Sequence, residues 1–106
     1  MTKTNRTKIV LAVVISVASA VCFAQSGGEA TYKAKCQSCH GATGVPNPGI
    51  AKMMGVKAAS DPDIKKLTAD QMFASVKNGK GKMASYKDKL TDAQIKDAVA
   101  FYRGLK

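Results

Sequence analysis

The run Cys36-Gln37-Ser38-Cys39-His40 decides which kind of domain this chain can form. Two thiols separated by two residues can react with the two vinyl groups of one haem, and a histidine directly after the second thiol then lies next to the iron. The spacing is that of covalent haem attachment. It predicts Cys36 and Cys39 as the thioether donors and His40 as an axial ligand of the iron.

Two other chemistries use closely spaced cysteines, and each needs something that this sequence lacks. A thioredoxin-type pair lies at the junction of a strand and a helix, but no alternating apolar pattern precedes Cys36. A structural zinc ion needs four ligands. The motif supplies three, because His40 is the single histidine of the chain. The pattern therefore favours haem over a redox-active dithiol or zinc.

Residues 1–24 have the layout of a secretory signal peptide. The start of this segment carries three positive residues, Lys3, Arg6 and Lys8. An almost wholly apolar run over 9–21 follows, and small residues then predict a cut after Ala24, with a cut after Ala20 as the alternative. A membrane-spanning helix needs roughly 20 apolar residues, so an uncleaved anchor is less favoured. We expect export to the periplasm without stable membrane insertion.

Residues 25–106 would then form one small domain. A domain of this size buries little core by itself and often needs a cofactor or crosslink to fold stably. Of the three cysteines, Cys22 would leave with the signal, so Cys36 and Cys39 are the pair that remains. One covalently attached haem c, a large apolar group, would supply the missing core.

The rest of the domain has the sequence pattern of short helices. Two capping boxes, Thr68-Ala69-Asp70-Gln71 and Thr91-Asp92-Ala93-Gln94, predict the starts of two helices that end near Gly79 and Gly104. A first helix is expected over about 29–35, after a short polar lead from Gln25 to Gly28. The sequence predicts loops over 41–49 and 58–63 and a helical turn within 50–56. No strand-like alternation of useful length occurs, so the fold class is all-α.

The domain resembles the class I cytochrome c family, in particular its small bacterial monohaem members. The resemblance runs from Gly28 to Leu105. It rests on Tyr32 ahead of the haem motif, the His40-Gly41 pair, the run 79–83 that ends in Met83, and the last helix. It implies a small cytochrome c-like fold in which several short helices surround one haem. The N- and C-terminal helices would pack together through Gly28, Tyr32 and Phe101.

The resemblance also implies that Met83 is the second axial ligand. Met53 and Met54 lie in an apolar stretch and Met72 on an apolar helix face, so core or pocket-wall positions are expected for those three. Met83 lies in a Gly- and Lys-rich loop that is expected to be flexible. The family commonly has proline after this methionine, and Ala84 stands there instead, which predicts a looser loop.

Histidine and methionine together would fill both axial positions and leave none for a substrate. This predicts a one-electron carrier between redox partners of the cell envelope, not an enzyme. A haem enzyme or sensor would require Met83 to dissociate readily. An obligate subunit of a larger redox complex is the other alternative. The sequence favours a diffusible monomer.

Two further residues have roles that the resemblance suggests. The carbonyl of Pro48 is expected to accept a hydrogen bond from His40 and so orient the ring, with Pro46 as the alternative. Either proline could equally serve to shape the loop alone. Tyr86 is expected either to hydrogen-bond a haem propionate or to be an ordinary aromatic residue of the pocket.

The charge of the chain predicts its partners. The formal charge is +10, and the predicted signal holds three of the positive residues, so the domain carries +7. Five lysines flank Met83: Lys77, Lys80, Lys82, Lys87 and Lys89. Such a surface attracts acidic partners. Because export argues against nucleic acid, we expect acidic redox proteins that donate and accept electrons, docking at the lysine-rich Met83 loop.

Overall fold

A computed structural model describes the backbone of residues 21–105 and the side chains of residues 27–105. Within this range the chain forms six helices: α1 Val21–Lys35, α2 Gln37–His40, α3 Pro48–Met54, α4 Pro62–Lys65, α5 Ala69–Asn78 and α6 Asp92–Arg103. An isolated bridge between Lys80 and Met83 is the one β-type pairing in this range. The prediction of an all-α fold is confirmed. No helix in the described range is long and apolar enough to cross a bilayer.

Both predicted capping boxes are formed. The Thr68 side chain accepts from the Gln71 backbone, and the Gln71 side chain accepts from the Thr68 backbone, at the start of α5. Thr91 and Gln94 form the same pair at the start of α6. These reciprocal bonds satisfy backbone donors that have no partner inside the helix, which explains why α5 and α6 begin where the sequence predicts.

Helices α1 and α6 pack directly against each other, as the resemblance implied. They approach so closely at Gly28 that a β-carbon there would overlap the Asp97 carbonyl group. Four residues later, Tyr32 packs its ring against Phe101 with ring centroids 5.2 Å apart. Tyr32 is 1% exposed, so this crossing and Ile95 are the most buried parts of the chain that the structure describes.

A second packing region joins α5 to α6. Its buried residues are Met72, Leu90, Ile95 and Val99, with partly buried apolar side chains around them. Burying an aliphatic side chain contributes about 1.5–3 kcal/mol relative to exposure. Helix α6 thus packs against α5 through this core and against α1 through the contacts at Gly28 and Tyr32.

Two parts of the helix pattern differ from the sequence prediction. Helix α1 begins at Val21, so the predicted polar lead from Gln25 to Gly28 is helical. The predicted loop over 58–63 ends in helix α4, where Asp61 caps the backbone N–H of Asp63 and Pro62 occupies the first turn. Proline fits there because the first helical N–H groups have no partner inside the helix.

The predicted signal peptide lies mostly outside the described residues. Residues 1–20 are not described, and Ala24 falls within α1. Cleavage after Ala24 or Ala20 therefore stays a prediction, and so does the domain boundary at residue 25.

Candidate functional site

The haem motif forms a tight helical connection at the end of α1. The Cys36 backbone donates to the Tyr32 carbonyl at 2.8 Å, and the Cys36 carbonyl then accepts from His40 at 2.9 Å. Helical geometry over 36–40 places Cys36, Cys39 and His40 on the wall of one cavity. Both cysteines are free thiols and partly buried.

That cavity has a volume of about 630 Å³. Most of its lining is apolar and comes from all six helices, the loop after α3 and the loop after α5. Its apolar wall includes Ile64, Leu67, Met72, Val76, Ala98 and Val99. Met83 lines the same cavity as Cys36, Cys39 and His40, so the structure brings together all four predicted attachment and ligand residues. A cavity of this size and polarity is typical of a cofactor site.

The His40 ring is held by packing. The ring of Tyr102 meets it edge-on, with centroids 5.4 Å apart. Burial lowers the pKa of His40 below its usual value, so the imidazole is neutral at physiological pH, which is the form that binds metals. Its Nδ1 atom is buried and has no hydrogen-bond partner.

No hydrogen bond therefore joins His40 Nδ1 to either proline carbonyl in this structure. Pro48 is exposed and begins α3, where the side chain of Asn47 caps Gly49. Pro46 is partly buried. A ligand histidine usually donates its second ring N–H to an oxygen acceptor, and the role of Pro48 as that acceptor stays a prediction.

The backbone next to His40 is fixed by a buried tyrosine. The Tyr32 hydroxyl donates to the Gly41 carbonyl at 2.6 Å. Gly41 has φ of 83° and ψ of 155°, a conformation that is almost restricted to glycine. A β-carbon there would also overlap the Val45 carbonyl. Tyr32 and Gly41 thus fix the point at which the chain leaves the haem motif.

The opposite side of the cavity is a backbone turn. Lys80 and Met83 exchange two hydrogen bonds, with N···O distances of 3.1 and 2.9 Å. Gly79 precedes this turn with φ of 79°, and a β-carbon there would lie 2.9 Å from the Met83 carbonyl oxygen. The loop around Met83 is therefore a hydrogen-bonded turn, which glycine conformations and paired backbone groups close without a proline after Met83. Its predicted looseness stays a prediction.

The methionines separate into three environments. Met54 and Met83 line the cavity and are partly exposed, while Met72 is 8% exposed and belongs to the core as well as the wall. Met53 is 61% exposed, so the expectation of a core or pocket-wall position for it is wrong. The end of α3 turns Met54 inward and leaves its neighbour outside. Met54 is therefore the structural competitor of Met83.

A zinc site has no support in the described part of the chain. No group of three or more histidine, cysteine, aspartate or glutamate side chains converges there. Burial, and the nearby Cys39 to a lesser degree, raises the pKa of Cys36 above its ordinary value. An unmodified Cys36 is therefore a neutral thiol at physiological pH, unlike the low-pKa thiols of redox-active pairs.

Comparison with known proteins agrees with this site. The family model described as cytochrome c oxidase, cbb3-type, subunit III matches residues 24–101. Cytochrome c-555 of Chlorobaculum thiosulfatiphilum is 37% identical over 86 residues, which cover 74% of this chain and 93% of that protein. The chain belongs to the cytochrome c family.

Two solved structures resemble this cytochrome. The c-type cytochrome KustC0563 superposes with a TM-score of 0.68 at 27% identity, over 74% of this chain and 96% of that one. A tyrosine-to-phenylalanine mutant of Kustc0563 gives 0.67 at 26% identity, over 76% and 99%. The cytochrome c-like fold implied by the resemblance is thereby confirmed.

As a c-type cytochrome, the protein carries one covalently bound haem c with its iron and acts in electron transport. The residues present fit that group. A large apolar cavity holds two free thiols, a neutral imidazole and a thioether, and the buried Nδ1 of His40 still lacks a hydrogen-bond partner. When bound, the haem supplies exchange of one electron between two iron oxidation states.

Lysines line the cavity of this cytochrome. Of the five lysines around Met83, Lys80 and Lys82 line it, together with Lys35 and Lys57, which the sequence did not single out. Lys57 pairs with Asp63 at 2.6 Å, and Lys82 donates to the Met53 carbonyl at 2.7 Å. The other three predicted lysines do not line it, and one of them, Lys77, pairs with Asp92 at 3.2 Å.

Tyr86 lines the cavity, and its hydroxyl donates to the Lys35 carbonyl at 3.1 Å. It is thus an aromatic residue of the pocket whose hydroxyl has a backbone hydrogen-bond partner.

The sequence did not single out Tyr102 as a residue that contacts His40. Its position two turns after Ile95 on the apolar face of α6 carries no sign of the cavity, so only the packing of α6 reveals it.

Proposed function

We propose that this cytochrome is an exported one-electron carrier of the cell envelope, with His40 and Met83 as axial ligands and Cys36 and Cys39 as thioether donors. The observation that carries the proposal is that these four side chains line one cavity although up to 47 residues separate them. The cleaved signal over residues 1–24 is part of the proposal. Its support is the sequence pattern alone.

The residues around the cavity suit electron transfer without bond rearrangement. His40 is neutral and packed against Tyr102, and Met83 is held in a closed turn, so neither ligand needs to move or to exchange a proton when the charge of the site changes. Filling both axial positions leaves no site for a substrate, which supports a carrier rather than an enzyme.

The ligand assignment is tested by comparing two alanine variants of the haem-loaded protein. Met83→Ala is expected to lower the reduction potential, abolish the weak long-wavelength absorption of methionine-ligated oxidised haem, and admit cyanide readily. Met54→Ala should keep that absorption, because Met54 is the matched cavity methionine. Loss of the band in Met54→Ala but not in Met83→Ala would reverse the assignment.

Attachment and export are tested on the mature protein by denaturing mass spectrometry. The expected mass is that of residues 25–106 plus one haem. A Cys36→Ser/Cys39→Ser variant should release its haem on acid extraction, whereas the unmodified protein should retain it. Haem that leaves the unmodified protein on extraction would contradict the thioether assignment, and a mass that includes residues 1–24 would contradict cleavage.

Docking of acidic redox partners is proposed at the side of the molecule where Lys80 and Lys82 line the cavity. Lys80 is the more available of the two, because the Lys82 ammonium group donates to the Met53 carbonyl. Exposed charges steer encounters over distances set by screening, about 8 Å at physiological ionic strength. They increase association rates more than they tighten a complex.

The docking proposal is tested by measuring electron transfer to envelope redox proteins over a salt series. Lys80→Glu should slow the reaction and flatten its salt dependence. Lys65→Glu makes the same charge change at an exposed lysine of α4 that does not line this cavity, and should have the smaller effect. Equal effects of the two variants would place the contact elsewhere.

The family description favours one second function. Because the matching model is described as subunit III of a cbb3-type cytochrome c oxidase, the second function is that of a subunit of such an oxidase rather than a diffusible carrier. The chain spans 93% and 96% of two relatives whose descriptions name a cytochrome and no larger complex, and the proposal of a diffusible monomer rests on this likeness. Size analysis of the protein released from intact envelopes decides: a single-chain mass supports the carrier, and co-purification with an oxidase supports the subunit.

A further inference from the structure

Two groups of hydrogen bonds hold the Met83 loop: bonds within the turn fix its shape, and bonds to other elements fix its position. The exchanged bonds between Lys80 and Met83 fix the shape of the turn. They do not determine how far the turn lies from the haem motif on the other side of the cavity. The distance between the turn and the motif depends on contacts from the loop to other elements.

Most of the hydrogen bonds from the loop to other elements are made with α5, the helix that precedes the loop. The Ser85 hydroxyl donates to the Lys77 carbonyl at 2.6 Å, and the Tyr86 backbone donates to Val76 at 3.0 Å. Lys82 reaches the last turn of α3. These bonds anchor the loop to α5 and α3, but they do not connect it to the segment that carries Cys36.

One contact makes that connection. The Tyr86 hydroxyl donates to the Lys35 carbonyl, 51 residues earlier and directly before Cys36. Because Tyr86 is three residues after Met83, a single hydrogen bond links the turn with the proposed sulfur ligand to the start of the haem motif. The Tyr86 ring lines the cavity, and the Lys89 ammonium lies 5.5 Å from the ring centroid, so the side chain is held in place by more than its hydroxyl.

We propose that Tyr86 is a positioning residue. Its hydroxyl group keeps the Met83 turn over the cavity through the hydrogen bond to the Lys35 carbonyl at the end of α1. The inference rests on the proposed ligation by Met83. A methionine sulfur and an iron form a weak bond that depends on the protein holding the sulfur in place. Loss of the Tyr86 hydrogen bond should leave the bond between sulfur and iron formed but let it open more often.

The test is Tyr86→Phe in the haem-loaded, oxidised protein, which removes the hydroxyl and keeps the ring. The readout is the rate at which cyanide occupies the sixth position, because cyanide enters when the methionine leaves. The rate should rise roughly threefold to tenfold, which is the range for loss of one hydrogen bond between neutral groups. The long-wavelength methionine band should remain.

Tyr32→Phe is the matched control, since it also removes a tyrosine hydroxyl that donates to a backbone carbonyl. That bond is partly buried on a tyrosine that is 1% exposed, whereas the Tyr86 bond is exposed, so its loss should reduce stability to denaturant more than the loss of the Tyr86 hydroxyl. It should nevertheless raise the cyanide rate less. A cyanide rate that follows overall stability in the two variants would overturn the proposal.

Two other results separate this inference from the proposed function. A cyanide rate in Tyr86→Phe equal to that of the unmodified protein, with the methionine band present in both, would overturn the role of Tyr86 and leave Met83 as ligand. Absence of the band from the unmodified protein would overturn the ligation, and the inference with it.

Discussion

The two walls of the cavity that carry the proposed ligands are built in different ways. On the His40 wall, Tyr32 is 1% exposed and bonded to Gly41, and the aromatic side chains of α6 pack beside it. On the Met83 wall, the turn is partly or fully exposed and is held by backbone pairing and by hydrogen bonds to α5, α3 and α1. One wall is part of the protein core, and the other is attached to it.

The difference shows where rigidity comes from in a small domain. Buried side chains cannot move without opening cavities, and opening a cavity costs several kcal/mol. Exposed hydrogen bonds each contribute about 1 kcal/mol net, so a segment held by a few of them opens far more often than the core does. We therefore expect changes on the His40 wall to alter the stability of the whole domain, and changes on the Met83 wall to alter the sixth ligand.

A glycine variant on each wall gives the largest expected difference in the free energy of unfolding. Gly41→Ala should lower the free energy of unfolding by about 3 kcal/mol or more, because the conformation is nearly glycine-only and the added carbon overlaps the Val45 carbonyl. Gly81→Ala should cost about 1 kcal/mol, since its φ of 58° is left-handed but nothing lies within 4 Å of the added carbon. Denaturant unfolding of the haem-loaded variants measures both, and equal costs would contradict the comparison.

On the His40 wall, alkaline pH is expected to lower the free energy of unfolding by a smaller amount, through Tyr32. Burial, and the nearby Tyr102 to a lesser degree, raises the pKa of Tyr32 to about 12 from an ordinary value of 10.0. Between these values the unfolded chain loses the phenol proton while the folded protein keeps it, so stability falls as pH rises. Tyr32→Phe removes this contribution. Its free energy of unfolding should therefore fall less between about pH 10 and about pH 12 than that of the unmodified protein.

The exposed pair of Lys57 and Asp63 gives the smallest effect. Its hydrogen bond lowers the pKa of Asp63 and raises the pKa of Lys57. The contribution of Asp63 is present above the ordinary carboxyl pKa and is lost as pH falls through its lowered folded value. Lys57→Gln should reduce the acid sensitivity of the melting temperature slightly in dilute buffer. High salt should remove the difference, because exposed pairs are screened.

Sequence patterns predicted the features that depend on local chemistry. Thr68 and Thr91 begin helices as expected, because a capping box is a contact between residues three apart. The haem motif is local in the same sense. Helix α4 also has a local sign, Asp61 followed by Pro62, which the sequence prediction overlooked in favour of reading proline as loop.

The features that the sequence did not reveal depend on contacts between distant segments. Met53 and Met54 are neighbours in the same apolar stretch, and only the packing of α3 decides which one faces the cavity. The shape of the Met83 turn depends on paired backbone groups rather than on a proline after Met83. Tyr102 reaches His40 because α6 crosses α1, and no pattern within α6 predicts that contact.

The contact between Tyr102 and His40 also has a consequence for biogenesis. Ribosomes make Cys36 and Cys39 more than 60 residues before Tyr102, so the thiols exist for a period in which the pocket wall that later encloses them has not been synthesised. Until α6 packs, the thiols lack the part of the cavity wall that Ala98, Val99 and Tyr102 supply. We therefore expect a large group to be attached to the two sulfur atoms before α6 packs, so that folding closes the cavity wall around a group already in place.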